Sequence, residues 1–171
     1  PPPPARGVEG TRLFTRSSIM KKTIPLLLAL CAAATAAPVE KLSDFELADQ
    51  HEKTRSYRFP KSKVTVMTVA DHKGSDQLAP WIQRLHDRYA DRIDIDGVAD
   101  VSIIPSAFHG MFRKAFKKQL TYSVMLDWGG NVVKQFSPAK GVANIYVIDR
   151  SGRILKQLTD PVSDEAVRDL T

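Results

Sequence analysis

Cysteine is nearly absent from this sequence, which has only Cys31 in 171 residues. One thiol excludes an intrachain disulfide and a Cys-x-x-Cys redox pair, because each of them needs two cysteines. It equally excludes a zinc site built from several thiolates. Any thiol chemistry would therefore depend on this one residue near the amino terminus.

A long hydrophobic run is also lacking, since the apolar stretch from Ile24 to Ala34 is about half of the roughly 20 residues that span a bilayer. Lys21 and Lys22 precede it and small residues follow it, which is typical of a secretory signal peptide. We predict a signal peptide over residues 20–36, with an uncleaved anchor or an N-terminal core helix as the alternatives. Cleavage would remove the only cysteine, leave no membrane span and give a periplasmic or secreted protein.

The segment before the signal peptide, residues 1–19, begins with four prolines and has no hydrophobic periodicity. It is interpreted as an overextended gene model, with a genuine disordered extension as the alternative. Residues 37–171 are then predicted to form the folded domain.

A strong excess of one charge is missing from this predicted domain. The whole chain carries a formal net charge of +6, but five of its 25 basic residues and only one acidic residue lie before Pro38. The remainder has 20 basic and 18 acidic residues, a net charge of about +2. Such a mixed surface argues against nucleic acid as a partner.

The secondary-structure pattern alternates strands and helices. A β-branched run from Val64 to Ala70 predicts a buried central strand. A helix is predicted to begin at Ser75 as its N-cap and to bend at Pro80. Its inward face would carry apolar residues at helical spacing, namely Leu78, Trp81, Ile82, Leu85 and Tyr89.

The later elements complete an α/β pattern. The predicted elements are strands over Ile93–Ala99, Tyr122–Leu126, Ile145–Asp149 and Arg153–Leu158, a helix over Ala107–Leu120, and a terminal helix from its cap Ser163 to Leu170. The last two strands would form a hairpin. This order predicts a mixed sheet covered by helices on both faces.

Three segments resemble the thioredoxin-like superfamily, in particular its TlpA-like and AhpC/TSA redoxin groups. Phe45–Gln50 is similar to the family's opening segment, and Val64–Ala70 followed by the helix with Pro80 is similar to its active-site strand and helix. Asn144–Ile154 is similar to its strand, D-x-x-G turn and returning strand. The resemblance implies a thioredoxin-like three-layer sandwich and an antioxidant or oxidoreductase role.

The chain departs from that family at the positions that carry its chemistry. The alignment places His72 and Ser75 where the reductase cysteines stand, and Ala143 where the cis-proline stands. The peptide bond before Ala143 is expected to be trans, because a cis bond without proline costs about 2.5 to 4 kcal/mol. Dithiol exchange and thiol peroxidase chemistry are therefore excluded for the mature domain.

The loop Asp71, His72, Lys73 and Ser75 is nevertheless predicted to lie where α/β sheets bind ligands, between a strand end and a helix start. Free backbone amides and Lys73 could hold a small anion or a partner's carboxylate. The alternative is a relic loop that only caps the helix. The four histidines show no metal-ligand spacing, and neither a metal nor another cofactor is predicted.

Two further features could contact a partner. Trp128 precedes two glycines at a strand end, where its ring could stay partly exposed. A basic cluster beside apolar residues in the second helix could lie on an anionic membrane or an acidic partner, or could be a solvated helix face; its members are Arg113, Lys114, Lys117 and Lys118.

These observations favour an exported, cysteine-free thioredoxin-like domain that acts as a non-redox binding or adaptor module. Its partner would be an envelope protein or peptide, contacted through the 71–75 loop, Trp128 and Ala143. Two alternatives stay open. One is an antioxidant or oxidoreductase role that uses a bound metal or cofactor, and the other is an inactive structural remnant.

Overall fold

The structure is a computed structural model that describes residues 41–159 and 161–170. The expected N-terminal extension and signal peptide lie outside the described residues. The strands are β1 Phe45–Ala48, β2 Thr54–Tyr57, β3 Thr65–Ala70, β4 Asp94–Asp100, β5 Met125–Asp127, β6 Asn144–Ile148 and β7 Ile154–Leu158. The α-helices are α1 Leu78–Tyr89, α2 His109–Gln119, α3 Asn131–Phe136 and α4 Asp164–Arg168.

The main sheet has five strands in the order β5-β4-β3-β6-β7. β3 and β4 are parallel, as are β4 and β5, whereas β6 is antiparallel to both β3 and β7. β1 and β2 form a separate antiparallel pair. The expectation of a mixed sheet that ends in a hairpin is confirmed.

β3 is the central strand, and all six of its residues are buried. Three of them are Val66, Met67 and Val69, which supply apolar side chains to both faces of the sheet. A β-branched, nearly uncharged run is the sequence that a doubly covered strand requires. The prediction over Val64–Ala70 is confirmed to within one residue.

Helices cover both faces of the sheet. On one face, all five apolar positions predicted for α1 are buried, and Val167 and Leu170 from the terminal segment join the same core cluster. On the other face, Val132, Val133 and Phe136 from α3 pack into a second cluster with β3. No helix within residues 41–159 and 161–170 is long and apolar enough to cross a membrane.

The first helix begins later than expected, so Ser75 does not cap it and Pro80 lies nearer to its start. Ser75 is not an N-cap: it begins a 3-10 turn that precedes α1, and its hydroxyl donates to the His72 carbonyl oxygen at 2.8 Å. Pro80 is the third residue of α1, because the α-helix begins only at Leu78. An amide in the first turn of an α-helix has no intrahelical acceptor, so proline is tolerated at this position.

Other differences concern elements that are short. β2 and α3 were not predicted, and β5 begins at Met125, three residues later than expected. α3 has six residues and β2 has four, too few for a periodic pattern to stand out. At the opposite end of the domain, the predicted cap of α4 is confirmed, because the Ser163 hydroxyl accepts from the Ala166 amide at 3.0 Å.

A buried carboxylate fixes the start of α3. Asp127 is 2% exposed, and its Oδ2 accepts from the amides of Val132 and Val133, both at 2.8 Å. Gly130 precedes the helix at a φ of 67°, a left-handed conformation that glycine adopts without a Cβ penalty. The Asp127 carboxylate therefore satisfies amides that the helix itself cannot pair.

We expect Asp127→Ala to lower the free energy of unfolding by about 3 kcal/mol, because two buried amides would lose a charged acceptor. Urea denaturation measures the change. The matched control is Ser163→Ala, which removes an exposed cap from α4 and should cost about 1 kcal/mol. Equal effects of the two substitutions would contradict the structural role given to Asp127.

Candidate functional site

The candidate site lies at one edge of the main sheet, where β3, β4 and β5 end and β6 begins. A cleft of about 420 Å³ opens at this edge. Its walls come from the residue after β3, the end of β4 and the loop after it, the turn into α3, α3 itself and the segment after α3. The lining residues are Asp71, Asp100, Ser102, Gly129, Gly130, Val133, Lys134, Ser137, Pro138, Ala139 and Lys140.

Asp71 joins two loops beside this cleft, which comprise residues 71–77 and residues 139–144. Its Oδ1 accepts from the Gly74 amide and its Oδ2 from the Gly141 amide, each at 2.9 Å. Burial raises the pKa of Asp71. Hydrogen bonds from the amides of Gly74, Gly141 and Lys73, together with the charge of Lys73, lower it by more than burial raises it, so the pKa lies below its ordinary value. The carboxylate therefore stays ionised and holds residues 71–74 against the loop that contains Gly141.

The expectation that this loop offers free amides to an anion is wrong for Gly74 and Ser75. The Gly74 amide donates to the Asp71 carboxylate, and the Ser75 amide donates to the Asp71 carbonyl oxygen at 3.1 Å. The chain thus supplies its own anion where an external one was predicted. The physical reason is that an aspartate three residues before Gly74 can fold back onto the turn.

The two loops also touch through their backbones. A Cβ added at Gly74 would lie 2.3 Å from the Val142 carbonyl oxygen, so only glycine allows this approach. The Ala143 amide donates to Oε1 of Gln77 at 3.1 Å. Ala143 itself is buried, and its peptide bond to Val142 is trans, since the cis bond in the described residues joins Phe59 to Pro60.

Asn144 holds the loop of residues 139–144 through hydrogen bonds to its backbone. Its side chain is fully buried, and its Oδ1 accepts from the Ala139 amide at 2.8 Å. Its Nδ2 donates to the carbonyl oxygens of Ala139 at 2.8 Å and Val142 at 3.1 Å. One amide side chain therefore closes the turn from residue 139 to residue 144, which includes the cleft wall at Ala139.

The six residues predicted for the site fall into three groups. Asp71 and Ala143 lie within the hydrogen-bonded contact between the loops, while His72, Lys73 and Ser75 are exposed beside it. Trp128 is half-buried and packs on the second helix rather than lining the cleft. Its ring stacks on His109 with centroids 3.7 Å apart, and the Arg113 guanidinium lies 5.8 Å from its centroid.

Several residues of the site were missed by the sequence analysis. Gln77 and Asn144 act through side chains that reach a different loop, and no local spacing indicates which loop that is. Gly141 was a weak signal in the sequence, because glycine is common in turns. In the structure its φ is 77°, a left-handed conformation that favours glycine. Lys134 and Lys140 lie in segments for which no site was predicted.

The cleft is lined by exposed lysines and by carboxylates that accept hydrogen bonds from other groups of the chain. Lys134 and Lys140 line it and are exposed. Asp100, by contrast, accepts from the Ser102 amide at 3.1 Å and from its hydroxyl at 2.6 Å. The described residues include no cysteine and no cluster of three or more metal-ligating side chains. The arrangement fits recognition of an acidic group.

A second cavity of about 230 Å³ lies where β4 extends past the short β5. Its charged groups already face each other. The Arg55 guanidinium lies 3.7 Å from a carboxylate oxygen of Asp96 and 3.9 Å from one of Asp49. The Tyr57 hydroxyl also donates to Asp96. Because the Arg55 guanidinium already pairs with two carboxylates, it is not free to bind a ligand, and the cleft with exposed lysines is the better candidate.

No protein-family model matches the sequence, and no curated protein matches it. Several solved structures are similar to this chain. The exposed lipoprotein thioredoxin Etrx1 of Streptococcus pneumoniae is 20% identical, with a TM-score of 0.61 over 75% of this chain and 98% of that one. StoA of Bacillus subtilis is 19% identical, with a TM-score of 0.56 over 75% and 96%. Peroxidoxin BcpB of Mycobacterium tuberculosis is 22% identical, with a TM-score of 0.51 over 77% and 90%.

We expect Gly74→Ala to lower the free energy of unfolding by about 1–3 kcal/mol, because the new methyl group would meet the Val142 carbonyl. Chemical denaturation measures it. Gly110→Ala is the matched control, since nothing lies within 4 Å of a Cβ at that helical position. The control should be neutral or stabilising by up to about 1 kcal/mol. A neutral Gly74→Ala would show that the loops are not in contact.

The lowered pKa of Asp71 predicts how the domain responds to acid. Because its pKa is lower in the folded state, its stabilisation is complete above the unfolded value of about 3.9 and is lost as the pH falls through the folded value. Asp71→Asn should therefore be less stable than wild type at pH 7 and lose less stability on acidification. Urea unfolding between about pH 7 and pH 3 tests this, and parallel curves for the two proteins would contradict it.

Proposed function

We propose that this thioredoxin-like fold serves as an exported, non-redox binding module, whose cleft at the sheet edge holds an acidic segment of an envelope protein. The observation that carries the proposal is the paired loop structure beside the cleft. Asp71 bonds to both loops, and it stands next to an open, lysine-bearing cleft rather than next to a reactive thiol.

Rigidity of the cleft walls supports a binding role. Contacts from Asp71, Gln77 and Asn144 fix residues 71–77 and 139–144 in the free protein. A surface ordered in advance loses little conformational entropy when a partner binds. Exposed His72, Lys73 and Ser75 beside the loops would extend the contact area, as the sequence predicted.

The charges of the cleft indicate the chemistry of the partner. Lys134 and Lys140 line it, and exposed Lys73 stands next to Asp71. Because Asp71 and Asp100 both accept hydrogen bonds from within the chain, their charges are partly compensated. A peptide carrying Asp or Glu side chains would complement the lysines.

Export rests on two supporting observations. The sequence has a basic, apolar and small-residue order over residues 20–36 that is typical of a signal peptide. One of the similar folds, Etrx1, is described as an exposed lipoprotein. A partner in the cell envelope follows from that location.

The test uses the whole protein in its own host, with a photo-crosslinking amino acid in place of Ala139, an exposed residue of the cleft wall. We expect one discrete crosslinked protein, whose attachment maps to an acidic segment. K134E/K140E should reduce this product by about tenfold, because it would place like charges opposite each other. K41E/K53E, which changes two exposed lysines that line neither cavity, should leave it unchanged.

Three outcomes would overturn the proposal. The absence of a crosslinked protein would favour an inactive remnant. A crosslinked protein that is insensitive to K134E/K140E would show that the lysines of the cleft do not recognise an acidic segment. Peroxide or disulfide turnover by the purified protein above a heat-inactivated control would favour the oxidoreductase alternative with a bound metal or cofactor.

A further inference from the structure

The second helix carries an uncompensated positive surface. No acidic residue occurs between Asp100 and Asp127, while four basic residues lie on α2. Arg113 pairs with Glu52 at 3.1 Å. Lys114, Lys117 and Lys118 are exposed, and none of the three forms an ion pair within the described residues. Their charges therefore project into solvent.

Exposed apolar side chains lie in the segment that leads into the same helix. Ile103 is 83% exposed, Phe108 50% and Met111 60%, and they occupy the loop and the turn that lead into α2 and its first turn. A fourth exposed large apolar residue, Leu155, lies on β7. Three of the four thus precede or begin a single basic helix.

Helical spacing places the two kinds of side chain on one side of α2. Met111, Lys114 and Lys118 recur at intervals of three and four residues, so they share a face. Phe116 lies on the opposite side and packs against the core cluster of Val101, Val124 and Leu126. We use the name α2 outer face for Met111, Lys114, Lys117 and Lys118 on the helix together with the exposed Ile103 and Phe108 from the segment before it.

We infer that the α2 outer face is a contact site for an anionic phospholipid bilayer. Each lysine near such a surface contributes attraction to anionic headgroups, and the apolar side chains can enter the boundary of the acyl region. The long alkyl stems of lysine suit this depth, because they let the ammonium groups stay among the headgroups.

Charge and shape favour lipid over an acidic protein. Several lysines on one helix together with exposed apolar side chains are typical of segments that contact a membrane surface. The face is the outer side of a helix, and none of its six residues lines either of the two cavities. A fluid bilayer does not need such a cavity, because its headgroups and acyl chains adapt to the side chains that enter it.

This site is distinct from the proposed binding cleft but close to it in the chain. Ser102 lines the cleft, and Ile103 follows it directly. Contact through the α2 outer face would bring one wall of the cleft towards the membrane. Because the lysines of the two surfaces are different, each surface can be altered separately.

The test must report on the face itself, since the apolar run near the amino terminus could hold the full chain on vesicles. We would introduce F108W in the full-length protein and measure quenching by brominated phosphatidylglycerol and, separately, brominated phosphatidylcholine vesicles. L155W is the matched control, because Leu155 is similarly exposed on β7. Wild type supplies the signal of the two native tryptophans.

We expect selective quenching of F108W by the anionic vesicles. Adding K114Q/K118Q should raise the lipid concentration for half-maximal quenching by about 30-fold, whereas K41Q/K53Q should not. Equal quenching of F108W and L155W, equal response to both lipids, or no quenching of F108W would overturn the proposal, and the last would leave the face to an acidic protein. M111W gives the same readout if F108W fails to fold by circular dichroism.

Discussion

The ionised carboxylate of Asp71 is the contact on which the site depends. It bonds to Gly74 at the start of the helical segment and to Gly141 in a loop 70 residues away, at 2.9 Å in both cases. β3 carries Asp71 to the sheet edge, and β6, paired antiparallel to β3, begins there just after the second loop. Sheet topology thus brings the loops together, and one side chain joins them.

The large elements could be predicted because their sequences carry a regular period. The buried face of α1 follows a helical repeat, and the uninterrupted apolar run of β3 is typical of a central strand. The final hairpin was likewise predictable from its Ser151-Gly152 turn. Short elements such as β2 and α3 gave no comparable signal, and α3 begins where it does because Asp127, a residue of the preceding strand, accepts from its amides.

The site was predictable in position but not in its internal bonding. The end of a central strand next to a helix start is a general ligand position, and Asp71 lies there as expected. The partners of Asp71, Gln77 and Asn144 depend on which loops meet, which is a property of the folded chain. For the same reason the expectation of free amides in this loop was wrong, since the amides of Gly74 and Ser75 donate hydrogen bonds within the chain.

The same bonding determines how this loop would affect a thiol placed in it. A reactive thiol near a helix start gains from the positive end of the helix dipole, because that field stabilises the thiolate. Here the Gly74 amide donates to the Asp71 carboxylate, so this amide already stabilises a negative charge of the chain itself. A second negative charge beside it would be disfavoured by repulsion. The carboxylate that stabilises the loop would therefore disfavour a thiolate there, while the lysines of the neighbouring cleft are exposed to solvent.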